Sequence, residues 1–232
     1  MLKVLDIGNT FTRIAVWDGG EFIDLRRLPT AELTGSGDGI PQVAACVCPA
    51  VKEQLKNTGI EFISAVNQHS PVDFSLVDTS TLGADRVANA VAAAEFYPLP
   101  VAVIDCGTAV TLEVVDEQRR FAGGAIAPGR RLLRRALATG TAQLPEIPLG
   151  ESVPVEIGRN TVDAIGFGVD VGIVGIVHQW LNILRRKYPG LTVVLTGGDA
   201  SYLAPEFPEA HVDDRYLTLH GIRLASSFRD GR

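Results

Sequence analysis

The chain has 232 residues, 46% hydrophobic and 21% charged, with a mean hydropathy of +0.19, enough to bury one large core or two half-sized ones. Its formal net charge of −6 argues against a general nucleic-acid binder, which carries a basic surplus, but leaves room for a local basic pocket. Cys46, Cys48 and Cys106 form no disulfide framework, and they join His69, His178, His211 and His220 in no metal-ligand spacing.

The start MLKVLDIG enters a strand-like run with no basic, apolar and cleavable leader, which sets the expectation of a cytoplasmic protein. Strands are predicted near 2–7, 12–17 and 21–28, with Asp18-Gly19-Gly20 as a hairpin turn. A Gly/Ser/Thr-rich break at 34–39 precedes a strand at 43–48, and ISAVN at 63–67 reads as a further short strand. A helix opens at Gly83, with Val87, Ala90, Val91 and Ala94 on one face, and Pro98 and Pro100 end it.

The pattern then restarts. Strands are predicted near 101–105, 110–115 and 120–122, with Asp116-Glu117 as a turn, followed by GGAIAPG at 123–129. In the amphipathic segment at 130–138, Arg130, Arg131, Arg134 and Arg135 read as a solvated helix face, with an anion or acidic-partner site as the alternative. A long helix at 160–187 carries a predicted buried stripe of Ile165, Val169, Ile173, Ile176, Trp180 and Leu184. Gly168, Gly172 and Gly175 weaken that helix by about 1 kcal/mol each and make sense where another helix packs closely, such as one from a second subunit. Its least charged stretch, 164–177, is too short and glycine-rich for a membrane span, so no membrane partner is expected. A strand within LTVVLTGGDA at 191–200 and a last strand and helix complete two halves, 1–98 and 99–232.

DIGNT at 6–10 and DCGTA at 105–109 place the same D-x-G turn between two apolar runs, 99 residues apart. Glycine lets the backbone approach a ligand, the turn's N–H groups make an anion nest, and Asn9, Thr10 and Thr108 add donors. Asp6 and Asp105 repel phosphate and are suited instead to cations that neutralise it. One copy is an ordinary hairpin; two in matched contexts suggest a nucleotide's phosphate chain held from both ends. TGGDA at 196–200 is either a plain strand-to-helix turn or the turn against adenosine. GADR at 83–86 opens a helix, so Asp85 is either a capping residue or a phosphoryl-transfer base, and Arg86 can pair with a carboxylate.

Taken in order, DIGNT, GADR, DCGTA, GGAIAPG, IGRNT and TGGDA resemble the type III pantothenate kinases over nearly the whole chain. The resemblance implies an α/β fold of two ribonuclease-H-like (actin-like ATPase) domains in tandem, each a mixed sheet with helices, with a cleft between them. It implies that Asp6, Ile7, Gly8, Asn9, Thr10, Phe11, Thr12 and Arg13 form the ATP phosphate loop and that Thr108 contacts ATP. Gly83, Ala84, Asp85 and Arg86 would contact pantothenate, with Asp85 as catalytic base, and Asp105 would hold a monovalent cation, K⁺ or NH₄⁺. Thr161 would reach pantothenate from the partner subunit of a homodimer. The implied activity is Mg²⁺- and ATP-dependent phosphorylation of pantothenate; the rival readings are a non-catalytic nucleotide-binding relative and a kinase for another small hydroxy acid. The sequence departs from the family in a first domain shortened by about twenty residues after the third strand, in Leu76 where a tyrosine is usual, and in the basic run after GGAIAPG.

Overall fold

The computed structural model describes residues 1–34, 39–66, 70–213 and 216–228. The chain divides into two compact units. The first comprises Met1–Leu99, Val115–Gly123 and Tyr216–Arg232; the second comprises Pro100–Val114 and Gly124–Arg215.

In the first unit, β1 (Leu2–Ile7), β2 (Phe11–Trp17), β3 (Phe22–Pro29), β4 (Gln42–Cys46) and β5 (Glu61–Phe62) make one mixed sheet in the order β3-β2-β1-β4-β5. The hairpins pair β1 with β2 and β2 with β3 antiparallel, whereas β4 runs parallel to β1 and β5 parallel to β4. Central β1 is buried on both faces, with Leu2, Val4, Leu5 and Ile7 at most 5% exposed. Helices α2 (Ala84–Phe96) and α6 (Leu217–Leu224) cover the face that holds Val4 and Ala15. Gly221 makes their close crossing possible, because a Cβ there would lie 1.8 Å from the Ala88 carbonyl oxygen. The opposite face packs Leu5, Ile7 and Ala44 against Leu33, Ile60 and Leu55 of α1 (Pro49–Leu55), a helix the sequence reading passed over despite Pro49 at its first position.

Between β3 and β4 the described residues hold only a 3₁₀ turn at Thr30–Glu32, and a cavity of about 340 Å³ lies over Lys3, Leu5, Ile14, Val16 and Leu33. Residues 35–38 of the predicted break lie outside the described residues. The strand expected at 63–67 is replaced by β5 two residues earlier, because Glu61 and Phe62 supply the pairing with Val43 and Ala44; Ile63 to Val66 form no strand and Asn67 lies outside the described residues.

In the second unit the sheet order is β10-β9-β6-β7-β8, from β6 (Val101–Cys106), β7 (Ala109–Val115), β8 (Phe121–Pro128), β9 (Thr192–Thr196) and β10 (His211–Val212). β9 is parallel to both β6 and β10. β6 is the buried centre, with Val101 to Ile104 at 0% exposure. GGAIAP does not follow a strand, as expected, but forms most of β8, with Gly123 at φ +115°. Helix α3 (Arg130–Gly140) packs against α4 (Thr161–Lys187), and α5 (Ala200–Leu203) follows β9.

The buried stripe of α4 differs from the predicted one. It runs Ile165, Val169, Ile173, Val177 and Leu181, with Asp170 and Val174 beside it, while Ile176, Trp180 and Leu184 are half-buried on its flank. Steps of four residues carry the stripe steadily around the helix, and the predicted step of three at Ile173 turned off that path. By length and composition α4 is apolar enough to cross a membrane, with an 18-residue window of mean hydropathy 1.5. Within that helix Asp170 is buried and ion-paired with Arg130 and Arg134.

Candidate functional site

The first unit presents two of the predicted motifs. Asp6 is the next-to-last residue of β1, and Gly8, Asn9 and Thr10 form the turn into β2. The Gly8 N–H donates to the Phe11 carbonyl at 3.1 Å, and a Cβ on Gly8 would sit 3.0 Å from that oxygen. Thr30 fastens the turn from below: its N–H donates to the Thr10 carbonyl at 3.0 Å and its hydroxyl to the Gly8 carbonyl at 2.8 Å. Ile7 and Thr12 are 1% and 0% exposed, and the Thr12 hydroxyl is spent on Thr30 at 3.1 Å, so these two side chains support the turn. Asn9 and Thr10 are exposed, and the Phe11 ring lies 3.9 Å under the Arg27 guanidinium. Asp6 accepts from Arg13 at 3.2 Å and 3.1 Å, which fixes its carboxylate at the turn's edge.

Gly83 is the N-cap of α2, in extended conformation with no side-chain cap, and Asp85 lies in the first turn. A Cβ on Gly83 would fall 2.5 Å from Asp85 Oδ1, so any other residue there would displace that carboxylate. That oxygen accepts the Arg86 backbone N–H at 2.8 Å, so Asp85 turns back over the free N–H groups of its own helix. Gly83, Ala84, Asp85 and Arg86 are half-buried. Leu76, in the preceding loop, is 54% exposed.

In the second unit Asp105 lies at the C-terminal end of β6, paired in register with Thr196 of β9. Three turns converge there. Gly107 closes the D-x-G-T-A turn onto Ala109 at 3.0 Å, and Gly129 donates to the Thr108 carbonyl at 2.9 Å. A Cβ on Gly129 would come 2.3 Å from the Gly107 carbonyl oxygen, so these two backbones touch. Gly197 of T-G-G-D-A adopts φ +91°, and a Cβ there would lie 2.4 Å from Asp105 Oδ1. The Asp199 N–H donates to the Cys106 carbonyl at 2.8 Å, which locks T-G-G-D-A against the Asp105 turn. Cys106 itself is fully buried; burial, with Asp105 and Asp199 nearby, pushes its thiol well above the usual range and makes it a packing residue. Thr108 is exposed at the tip of its turn.

Thr161 is the first residue of α4 and is exposed. Asn160 does the capping, accepting from the Asp163 N–H at 3.0 Å, so the Thr161 hydroxyl is not needed for it.

The arginine run is the clearest correction. Arg131 and Arg135 are solvated as expected, but Arg130 and Arg134 are 2% and 3% exposed. Arg134 grips Asp170 with two bonds of 2.9 Å, and Arg130 donates to Asp170 at 3.0 Å and to the Gly150 carbonyl at 2.8 Å. A lone acidic residue inside the apolar stripe of α4 was the available signal, since a buried charge requires a buried partner.

Among the described residues no group of three His, Cys, Asp or Glu could hold a metal. A divalent ion here therefore fits as the companion of a polyphosphate, which needs only one or two carboxylates from the protein.

The type III pantothenate kinase family model matches residues 40–182. Curated type III pantothenate kinases from Rhodospirillum rubrum and Brevibacillus brevis are 35% and 34% identical, each alignment covering 97% of this chain and 97% of the relative. Among solved structures, a conserved Baf family protein from Campylobacter jejuni superposes with a TM-score of 0.68 at 21% identity, covering 99% of this chain and 98% of its own. Component A of (R)-2-hydroxyglutaryl-CoA dehydratase from Acidaminococcus fermentans gives 0.56 at 14% identity and covers both chains fully (100% of each). These likenesses carry the fold, two mixed α/β sheets of the actin-like ATPase and sugar-kinase type.

Proposed function

This chain belongs to the type III pantothenate kinase family, and we propose how its residues carry out the family's reaction. That reaction is the ATP-dependent phosphorylation of pantothenate to 4′-phosphopantothenate, the first step of coenzyme A biosynthesis, and the protein is a kinase with an alcohol acceptor. The observation that carries the assignment of roles is the GADR motif at the N-terminus of α2, where half-buried Asp85 and Arg86 follow one another in the first turn and the Asp85 carboxylate accepts the Arg86 backbone N–H at 2.8 Å.

Asp85 accepts the proton of the primary hydroxyl as its oxygen attacks the terminal phosphorus of ATP; that P–O bond forms while the bond to the departing ADP breaks. Arg86 pairs with the pantothenate carboxylate, and Gly83 and Ala84 line the substrate through backbone and small side chains. In the first unit, Asn9, Thr10, Arg13 and the N–H groups around Gly8 receive phosphate oxygens, with Asp6, Ile7, Phe11 and Thr12 completing that loop. In the second unit, Thr108 bonds to ATP, Asp105 would hold a monovalent cation, K⁺ or NH₄⁺, and T-G-G-D-A meets the adenosine. Mg²⁺ accompanying the nucleotide would supply charge neutralisation. Catalysis is then mostly positioning and electrostatics.

The protein acts as a cytoplasmic homodimer in this account, with Thr161 of each subunit reaching the other's pantothenate. What supports the dimer is α4: Gly168, Gly172 and Gly175 have no atom within 4 Å of a built Cβ, beside Val162 and Ile183 at 49% and 56% exposure.

A panel of hydroxy acids and amides in an ADP-release assay, with and without K⁺, tests substrate and cation together. Pantothenate alone should support rapid turnover, and K⁺ or NH₄⁺ should accelerate it. Faster turnover of another hydroxy acid would overturn the substrate assignment, and a rate indifferent to monovalent cations would overturn the role of Asp105.

A further inference from the structure

Arg130 sits at a junction of the second unit. It follows Gly129, whose backbone touches the D-x-G-T-A turn. Its guanidinium reaches three other segments: Asp170 of α4 through Nε at 3.0 Å, the Gly150 carbonyl through Nη2 at 2.8 Å, and Asp199 Oδ1 of T-G-G-D-A through Nη1 at 3.4 Å. The plane also stacks on the Tyr202 ring of α5 at 3.2 Å.

Charge counting shows where this cation is directed. Asp170 already accepts two bonds from Arg134 and one from the Tyr202 hydroxyl at 2.8 Å, besides the one from Arg130. Two buried guanidiniums thus share one saturated carboxylate, and among the described residues Asp199 is the second carboxylate bonded to either of them. Arg130 and Asp170 are 3% and 1% exposed at the side chain, while Asp199 is 25% exposed, so Asp199 is the end of the chain that opens to solvent.

We propose that Arg130 is a positioning residue for ATP: it ties the Asp199 carboxylate, and with it the T-G-G-D-A turn, to the buried Arg134–Asp170 pair and to the Asp105 turn. The inference rests on reading T-G-G-D-A as a nucleotide turn. Asp199 needs such a cation. Burial pushes its carboxyl upward, and Arg130 with Arg131 opposes that, while Asp170 adds to it. The Asp199 backbone N–H donates to the carbonyl of Cys106, whose thiol is pushed well upward by burial, and the Tyr202 hydroxyl, bonded to Asp170, is likewise pushed upward by burial and by Asp170. Arg134 makes comparable bonds to Asp170, and none to Asp199 is among its contacts. The two arginines therefore separate a structural role from a positioning one.

The test measures the Kd of MgATP by calorimetry, the KM for ATP and for pantothenate, kcat, and Tm. It compares the wild type with Arg130→Met, Arg130→Lys, Arg134→Met, Asp199→Asn and the Arg130→Met/Asp199→Asn double variant. Arg130→Met and Arg134→Met should lower Tm similarly. Only Arg130→Met should weaken ATP, in Kd and KM alike, by about tenfold, with kcat and the pantothenate KM nearly unchanged. Asp199→Asn should do the same, the double variant should be no worse than either single one, and Arg130→Lys should recover most of the loss. Equal ATP affinity in the two arginine variants, or additive losses in the double variant, would overturn the proposal. ATP binding that follows this pattern in a protein that leaves pantothenate unphosphorylated would sink the kinase mechanism and leave Arg130 standing. A wild type that binds no ATP would sink both.

Discussion

Asp170 shows how much a single side chain can settle. Burial alone would push its carboxyl up, but hydrogen bonds from Arg134, Arg130 and Tyr202 outweigh burial and hold it below the usual value of 3.8. A carboxyl depressed in the folded state contributes stability in full above its unfolded pKa and loses it as pH falls through the folded one. Asp170→Asn leaves two buried guanidiniums short of a charge and should cost about 3–5 kcal/mol near neutrality. In urea titrations at a series of pH values, the gap between wild type and variant should be constant from about pH 7 to 5 and narrow below about pH 4. A gap that does not narrow in acid would show that Asp170 stabilises by packing and not by charge. Gly197 is the second such residue. Its φ of +91° and its approach to Asp105 predict that Gly197→Ala destabilises by about 1–3 kcal/mol, read as a lower Tm, and weakens ATP binding through the displaced turn.

Among elements, the crossing of α2 and α6 is the most demanding contact. Gly221 lets α6 lie on the Ala88 backbone, and the Thr218 hydroxyl donates to Asn89 Oδ1 at 2.9 Å in a buried pair. Gly221→Ala must push α6 off both α2 and β1, so a loss of at least about 1–3 kcal/mol is expected. An alanine variant as stable as the wild type would contradict the packing described for that face. The sequence carried these elements unevenly. The D-x-G turns and the GADR helix start were legible because their chemistry is local: a turn needs its glycine and a helix needs its cap. Arg130 and Arg134 were not, because their i, i+4 spacing on a basic helix looks solvated until Asp170, forty residues on, comes beneath it. The α4 stripe was half legible, since its period was right but one step of three residues misplaced its C-terminal half. Nothing within Leu217–Leu224 indicates which sheet it covers, and the structure joins it to the N-terminal unit.

At the scale of the molecule, a matched pair of turns sits on two mixed sheets, and each sheet carries its turn at the C-terminal end of a buried central strand, β1 in one and β6 in the other. In the first unit a cavity lies over Lys3 and Leu5, and the Gly8 turn is fastened by Thr30 of the 3₁₀ segment between β3 and β4. The α4 glycine face should hold two copies together. Sedimentation should give a dimer for the wild type and a monomer with impaired activity for Gly172→Trp, whereas a monomeric wild type with full activity would remove Thr161 from the site. The most direct test of the account is ATP-dependent formation of 4′-phosphopantothenate by the purified protein and by Asp85→Asn. The wild type should form it, and the variant should bind both substrates but turn over about 10²–10⁴ times more slowly. Turnover in the variant at the wild-type rate would contradict the assignment of Asp85 as the base.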